Sequence, residues 1–446
     1  MWTVAQLAAD LAAGRTSSRE LVEQALARIG DPSGEGSRAF LKVYGDSARA
    51  DADAADRLRK AGVRRSAVDG LPVALKDLYD VAGDVTRAGS RILQNQPPAK
   101  EDAKAVARLR AAGAIFIGRT NMVEFAFGGV GLNPHYGTPK NPFDRKAGRV
   151  PGGSSSGAAV AQADGMCVMA LGSDTRGSIR GPAALCGLVG WKPTAARVPR
   201  DGAFPLSYTL DSVGPLVNSL ACAAAYDAVL AAEGVNEIRL EAKGLRLLLP
   251  RSSALEDLDE KVQAAFQTAL DRLSKAGAAI TDRPVPAFDR QGEYFKGGGY
   301  AGAEAYHIHR AHEERIGEYD PRVGKRILLG KSLSASDYLA LGELRTAYIR
   351  EIEALAAPFD AIVMPAVPCI APTIAQTDAS DEDYFRWNGR ILRNNGLINF
   401  LDGCAASLPC HEPGSAPVGF MVCGTAGTDR RTLAAAAAIE RALSRH

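Results

Sequence analysis

Pro151-Gly152-Gly153-Ser154-Ser155-Ser156-Gly157 and Gly172-Ser173-Asp174-Thr175-Arg176-Gly177-Ser178-Ile179-Arg180-Gly181 are two turns crowded with glycines and hydroxyls. What joins them points to the fold class. Ala158 to Ala163 reads as a helix, and Cys167-Val168-Met169-Ala170-Leu171-Gly172 as a buried strand. The same order occurs upstream: residues 101 to 112 read as a helix ending at Gly113, and Ala114-Ile115-Phe116-Ile117-Gly118 as a short apolar strand. Helices that lead repeatedly into strands predict the α/β class.

Further out, residues 3 to 29 carry helical periodicity, broken at Thr16-Ser17-Ser18, where Ser17 or Ser18 caps a second helix. Residues 46 to 61 are also helical. Gly70-Leu71-Pro72-Val73-Ala74-Leu75-Lys76-Asp77 alternates like a strand. Strands are expected at 245–249, 361–365 and 417–422, with helices at 260–276 and 429–443. Residues 128 to 157 form a long, loop-rich stretch that runs into the first serine turn, and loops of that length are commonly functional. The segment from about 282 to 405 has the weakest pattern and is read as a variable, substrate-side part. No repeat or low-complexity linker divides the chain, so we expect one domain over 1–446, with N-terminal helices at 1–65 and a core at about 66–220.

Charge narrows the function. Lys plus Arg number 53 and Asp plus Glu 51, a balance that gives no basic footprint for nucleic acid. No apolar run is long enough for a membrane helix, and the N-terminus is amphipathic rather than a signal peptide. Seven widely spaced cysteines without a C-x-x-C pair suit a reducing, cytoplasmic setting. His307, His309 and His312 lie close in sequence, but His307 and His309 do not share a helix face. A polar helix face is preferred there over a metal site.

The serine turns suggest acyl transfer. Glycines beside a serine let the backbone approach a ligand and aim amide hydrogens at it. A hydroxyl becomes a nucleophile only when a base takes its proton. The N–H groups of Thr175, Arg176, Gly177 and Ser178 are candidate donors to a developing oxyanion. Taken singly, these features have plainer readings: a flexible Gly/Ser loop, a helix cap at Ser178, a surface lysine at Lys76. Gly153 to Gly157 formally fits G-x-S-x-G, but no strand precedes it. No S-x-x-K occurs, and no histidine has an evident partner.

Taken together, the two loops and the Lys76 strand resemble the amidase signature family. The likeness runs nearly end to end from Pro151 to Thr194, through Ala170-Leu171-Gly172-Ser173-Asp174-Thr175, Gly177-Ser178-Ile179-Arg180, Pro182-Ala183-Ala184, Cys186-Gly187, Gly190 and Lys192-Pro193-Thr194. Gly70 to Asp77, Leu210 to Leu216 and Pro417-Val418-Gly419 extend it. The resemblance implies a mixed central sheet covered by helices on both faces, with no metal or organic cofactor. It implies that Ser178 is the nucleophile, Ser154 the bridging serine 24 residues earlier, and Lys76 the base. The activity implied is hydrolysis of the C–N bond of a small carboxamide through an acyl-enzyme, releasing ammonia or an amine and a carboxylate. Two alternatives stay open: the A subunit of a tRNA-dependent amidotransferase, and a carbamate or ester hydrolase on the same three residues. The segment Arg200-Asp201-Gly202-Ala203-Phe204-Pro205-Leu206-Ser207 differs from what such subunits usually carry after Lys-Pro-Thr and favours a free-standing enzyme, with a homodimer as the commonest assembly.

Lysine is a cation up to a pH of about 10 and must be desolvated to act as a base, so we expect Lys76 to be buried and neutral, with Asp77 on the opposite side of the strand. Arg176 stands where the family usually has glycine. It is expected to point away and pair with an acid; the alternative is that it lines the pocket and favours an anionic or carbonyl-rich substrate. Gly128 and Gly129 lie in the matching substrate loop and lack the hydroxyls often found there. Phe295, Tyr300, Tyr306, Tyr384, Phe385 and Trp387 either line an aromatic pocket or belong to the core, the core being preferred.

Overall fold

The computed structural model describes residues 2–236 and 238–444. Eleven strands form one mixed sheet: β1 (Phe40–Val43), β2 (Pro72–Lys76), β3 (Ile115–Thr120), β4 (Met169–Asp174), β5 (Val189–Lys192), β6 (Ser212–Val217), β7 (Arg246–Arg251), β8 (Ala279–Pro284), β9 (Ala361–Pro365), β10 (Cys404–Pro409) and β11 (Gly419–Gly424). Their order across the sheet is β1-β3-β2-β4-β6-β5-β10-β11-β9-β7-β8. β3, β2 and β4 run parallel, as do β9, β7 and β8, and the strands between these two groups pair antiparallel.

Both faces are covered, and the period of two along each strand shows how. Ala74, Ile117, Ala170 and Leu216 pack with Ala158, Ala159 and Val160 of the helix Ser156–Ala163 and with Ala183 of the helix Arg180–Cys186. Val73, Leu75, Phe116, Leu171 and Val217 face the other way, in the same cluster as Leu220 and Tyr226 of the helix Leu220–Ala231 and Leu433 of the helix Asp429–Leu443. A strand buried on both sides has little room for polar alternation, and all five residues of β2 are buried, Lys76 among them.

The helices read from the sequence form close to their expected limits. Ser17 caps Ser18–Gly30 with a full capping box to Glu20, and Ser178 caps nothing, since the next helix begins at Arg180. The weak-pattern segment is not loose: it holds the helices Gly299–His309, Pro321–Leu329, Ala335–Ala356 and Asp381–Phe400. Tyr300 and Tyr384 are core residues there. Among the described residues no helix is long and apolar enough to cross a membrane. The last strand, β8, is an edge, and most of it is exposed.

Candidate active site

Lys76 ends β2 and Asp174 ends the neighbouring parallel strand β4, so both emerge at the carboxyl ends of the strands, where crevices form in open α/β sheets. By strand alternation Lys76 shares the face of Ala74, the side on which the helix Ser156–Ala163 lies. The serine turn leading into that helix therefore meets the lysine. Lys76 Nζ lies 2.7 Å from Ser154 Oγ and 2.9 Å from Ser173 Oγ. Burial pulls the Lys76 amine down to about 7, against the opposing charges of Asp211 and Asp174. Asp77 takes no part in this. It is bound on the other side by Arg119 Nε at 2.6 Å and by the Gly89 amide at 3.0 Å.

The two serine turns lie side by side: the Ser155 amide donates to the Ser178 carbonyl at 3.4 Å. The Gly153–Ser154 peptide bond is cis. Gly153 donates from its amide to the Gly129 carbonyl at 2.7 Å, and Gly129 in turn donates to Asn388 Oδ1 at 2.7 Å. Gly128 needs its missing side chain, because a Cβ there would come within 2.7 Å of Tyr384 Oη. The Gly128–Gly129 pair thus serves as a brace for the residue before Ser154.

Asp174 organises the second turn. Its carboxylate accepts from the amides of Gly177 (2.7 Å) and Ile179 (3.1 Å), from Arg180 Nε (3.1 Å) and Nη2 (2.9 Å), and from Asn399 Nδ2 (2.9 Å). Burial would raise its pKa, but the Arg180 guanidinium reverses this and holds it well below the usual carboxylate range. One expectation is corrected here. The Gly177 amide is committed to Asp174 and is not free for an oxyanion; its φ of 119° is set by the tight turn. Thr175, Arg176 and Ser178 keep amides with no acceptor among the described residues.

Ser178, Thr175, Arg176, Phe127, Gly128 and Arg326 border a cleft whose cavity of about 10 Å³ has room for roughly one water molecule. A second expectation fails at this point. Arg176 does not turn away to meet an acid. It lies flat over Phe295, with Cζ 3.5 Å from the ring centroid, and its buried Nε has no partner among the described residues. Sequence reasoning missed several neighbours: Ser173 on the lysine, Asp174 with Arg180, Asn399, and Arg326. For Asp174 and Arg180 the available signal was an acid and a base six residues apart amid glycines and apolar residues. Arg326 and Asn399 come from distant helices and gave none. His309, one of the clustered histidines, is buried with Nδ1 3.0 Å from Tyr319 Oη. Among the described residues no group of three or more His, Cys, Asp or Glu is arranged to hold a metal.

The profile of the Amidase family matches residues 20–433. The chain is 35% identical over 412 residues to a 2-amino-5-chloromuconic acid deaminase of Comamonas testosteroni, covering 90% of this chain and 88% of the relative. It is 35% identical over 476 residues to the A subunit of the glutamyl-tRNA(Gln) amidotransferase of Anaeromyxobacter dehalogenans, covering 98% and 95%. The solved structure of an amidase superposes with a TM-score of 0.88 at 32% identity, covering 99% of each chain. The chain belongs to the amidase family, and it is a hydrolase acting on amide C–N bonds.

Proposed function

We propose that Ser178 attacks the carbonyl carbon of a small amide, with Ser154 and Lys76 as its proton relay. The observation that carries this reading is the buried Lys76 amine 2.7 Å from Ser154 Oγ, its pKa pulled down by burial to about 7. A neutral amine has a lone pair, which lets it accept the Ser154 proton as Ser154 accepts that of Ser178. Ser173, the other neighbour of Nζ, holds the amine in line. The Ser178 Oγ–carbon bond forms, and the carbonyl electron pair moves onto oxygen, where the amides of Thr175, Arg176 and Ser178 are the donors available. When the tetrahedral species collapses, the C–N bond breaks and the relay returns the proton through Ser154 to the leaving nitrogen. Water then enters by the same route, and the acyl group leaves as a carboxylate. The reacting partner is a small molecule, the setting cytoplasmic, and a homodimer the commonest assembly. Carbamates and esters suit the same route.

The test is covalent labelling. A fluorophosphonate attaches to Ser178 in the isolated chain, and the label disappears in Ser178→Ala. Labelling elsewhere, or none in a folded protein, refutes the assignment. The second reading, the A subunit of an amidotransferase, draws on the match to such a protein over nearly the whole chain. Ammonia release from simple amides by the chain alone favours the free-standing amidase; release only with partner subunits and charged tRNA favours the other.

A further inference from the structure

Arginines buried in this molecule generally meet an acid. Arg119 meets Asp77 and Arg180 meets Asp174, and the partly buried Arg197 meets Asp227. Arg176 and Arg326 do not, among the described residues. Both border the cleft at Ser178, and no described Asp or Glu lines it. Arg176 is half-buried over Phe295 and donates no hydrogen bond to the protein from its buried Nε. Arg326 lies over the Phe127 ring at 4.1 Å and gives a single hydrogen bond, from Nη1 to the Phe127 carbonyl at 2.7 Å. Burial, and then the charge of Arg326, push the Arg176 guanidinium down to about 9; burial also lowers Arg326. A guanidinium keeps its proton at neutral pH, so each carries a positive charge.

Half-buried cations with no counter-charge are costly unless a ligand supplies it. The geometry suits a planar anion. Stacking on Phe295 uses the face of the Arg176 guanidinium and leaves its edge for two parallel N–H···O bonds. The seat for this stack is cut into the helix Asp381–Phe400 at Gly396, where a Cβ would come within 3.1 Å of Phe295 and 3.2 Å of Arg176 Nε. We propose that the substrate is an amide that also carries a carboxylate, bound by the side chains of Arg176 and Arg326 while its amide carbon faces Ser178, in a cleft that must widen beyond its present room for about one water molecule. This rests on the amidase reading given above.

The experiment compares ω-amido acids (malonamate, succinamate, glutaramate) with the diamides of the same chain length. We expect kcat/KM to favour one of the acids by at least about 10- to 100-fold, the size of a charge-assisted contact, with most of the difference in KM. Arg176→Gln and Arg326→Gln should each collapse that ratio by a similar factor. Preference for the diamides, or a ratio unmoved by both variants, overturns the proposal. Binding of succinate and glutarate to Ser178→Ala, followed by calorimetry, separates the two readings. If no amide is hydrolysed but a dicarboxylate binds and requires Arg176, the charge clamp stands and the amidase reading falls. If diamides are hydrolysed and no dicarboxylate binds, the clamp falls alone; if neither occurs, both fall.

Discussion

The serine-loop half of the molecule and the helical wall built from residues 299–400 handle buried polarity in opposite ways. In the first, Asp174, Arg180, Lys76 and Ser154 are enclosed and matched to close partners, so the region is a settled network. Where the second meets the first, Arg326 of the helix Pro321–Leu329 and Arg176 of the serine turn border one cleft without acids among the described residues. The contrast separates a part fitted to a reaction from a part fitted to a guest. The network around Asp174 and Lys76 is matched before anything binds, whereas the cleft between it and the wall lacks a charge that a ligand brings.

The contrast breaks most directly at the nucleophile. Ser178→Ala should lower kcat by about 10⁴-fold or more, and Lys76→Ala by a comparable amount, since members of such a unit fail together; near-normal turnover by either would end the assignment. Next comes Asp174→Asn, which leaves Arg180 enclosed without its anion. Denaturant unfolding should report a loss of about 3–5 kcal/mol, and a loss below about 1 kcal/mol would mean that the network matters less than its contacts suggest. The pH profile is a gentler test. Below about 7 Lys76 gains a proton and cannot accept another, so kcat/KM should fall roughly tenfold per pH unit on the acid side. An acid limb confined to the range below about pH 5, where carboxylates titrate, would contradict this. The smallest effect is on the wall: Gly396→Ala should raise KM for the preferred ω-amido acid several-fold. Kinetics on the folded variant check this, because alanine favours the helix by about 1 kcal/mol while crowding the stack. An unchanged KM would mean that the seat is not used.

The chemistry is far more legible in the sequence than the wall. Taken singly, a Gly/Ser loop, a serine suited to a cap and a strand lysine have plainer readings; Lys76, Ser154 and Ser178 are picked out by the resemblance of their surroundings to the family's signature. Some strands are hidden for equally physical reasons. β6 contains Gly214 and Pro215, which argue against a central strand; Gly214 is needed because the Trp191 carbonyl of β5 lies where its Cβ would be. The helix Asp381–Phe400 lacks a clear apolar stripe because its buried face is lined with amides. Asn394 donates to the carbonyls of Ala254 and Pro365, Asn395 to that of Ala366, and Asn399 to Asp174. Arg176 defeats a sequence reading because its partner is an aromatic ring from a distant segment, and ring stacking leaves no local pattern in the chain.

The outer rim of the sheet has a consequence for association. β8 ends in Asp282, Arg283 and Pro284, three of its most exposed residues. Two charges and an imide with no N–H make a poor template for another chain's backbone. Copies of this protein therefore have little means of extending one another's sheet at that border, and crowded solutions should not grow ribbons from it. A symmetric pair would have to meet elsewhere, through helices, loops or the opposite edge β1.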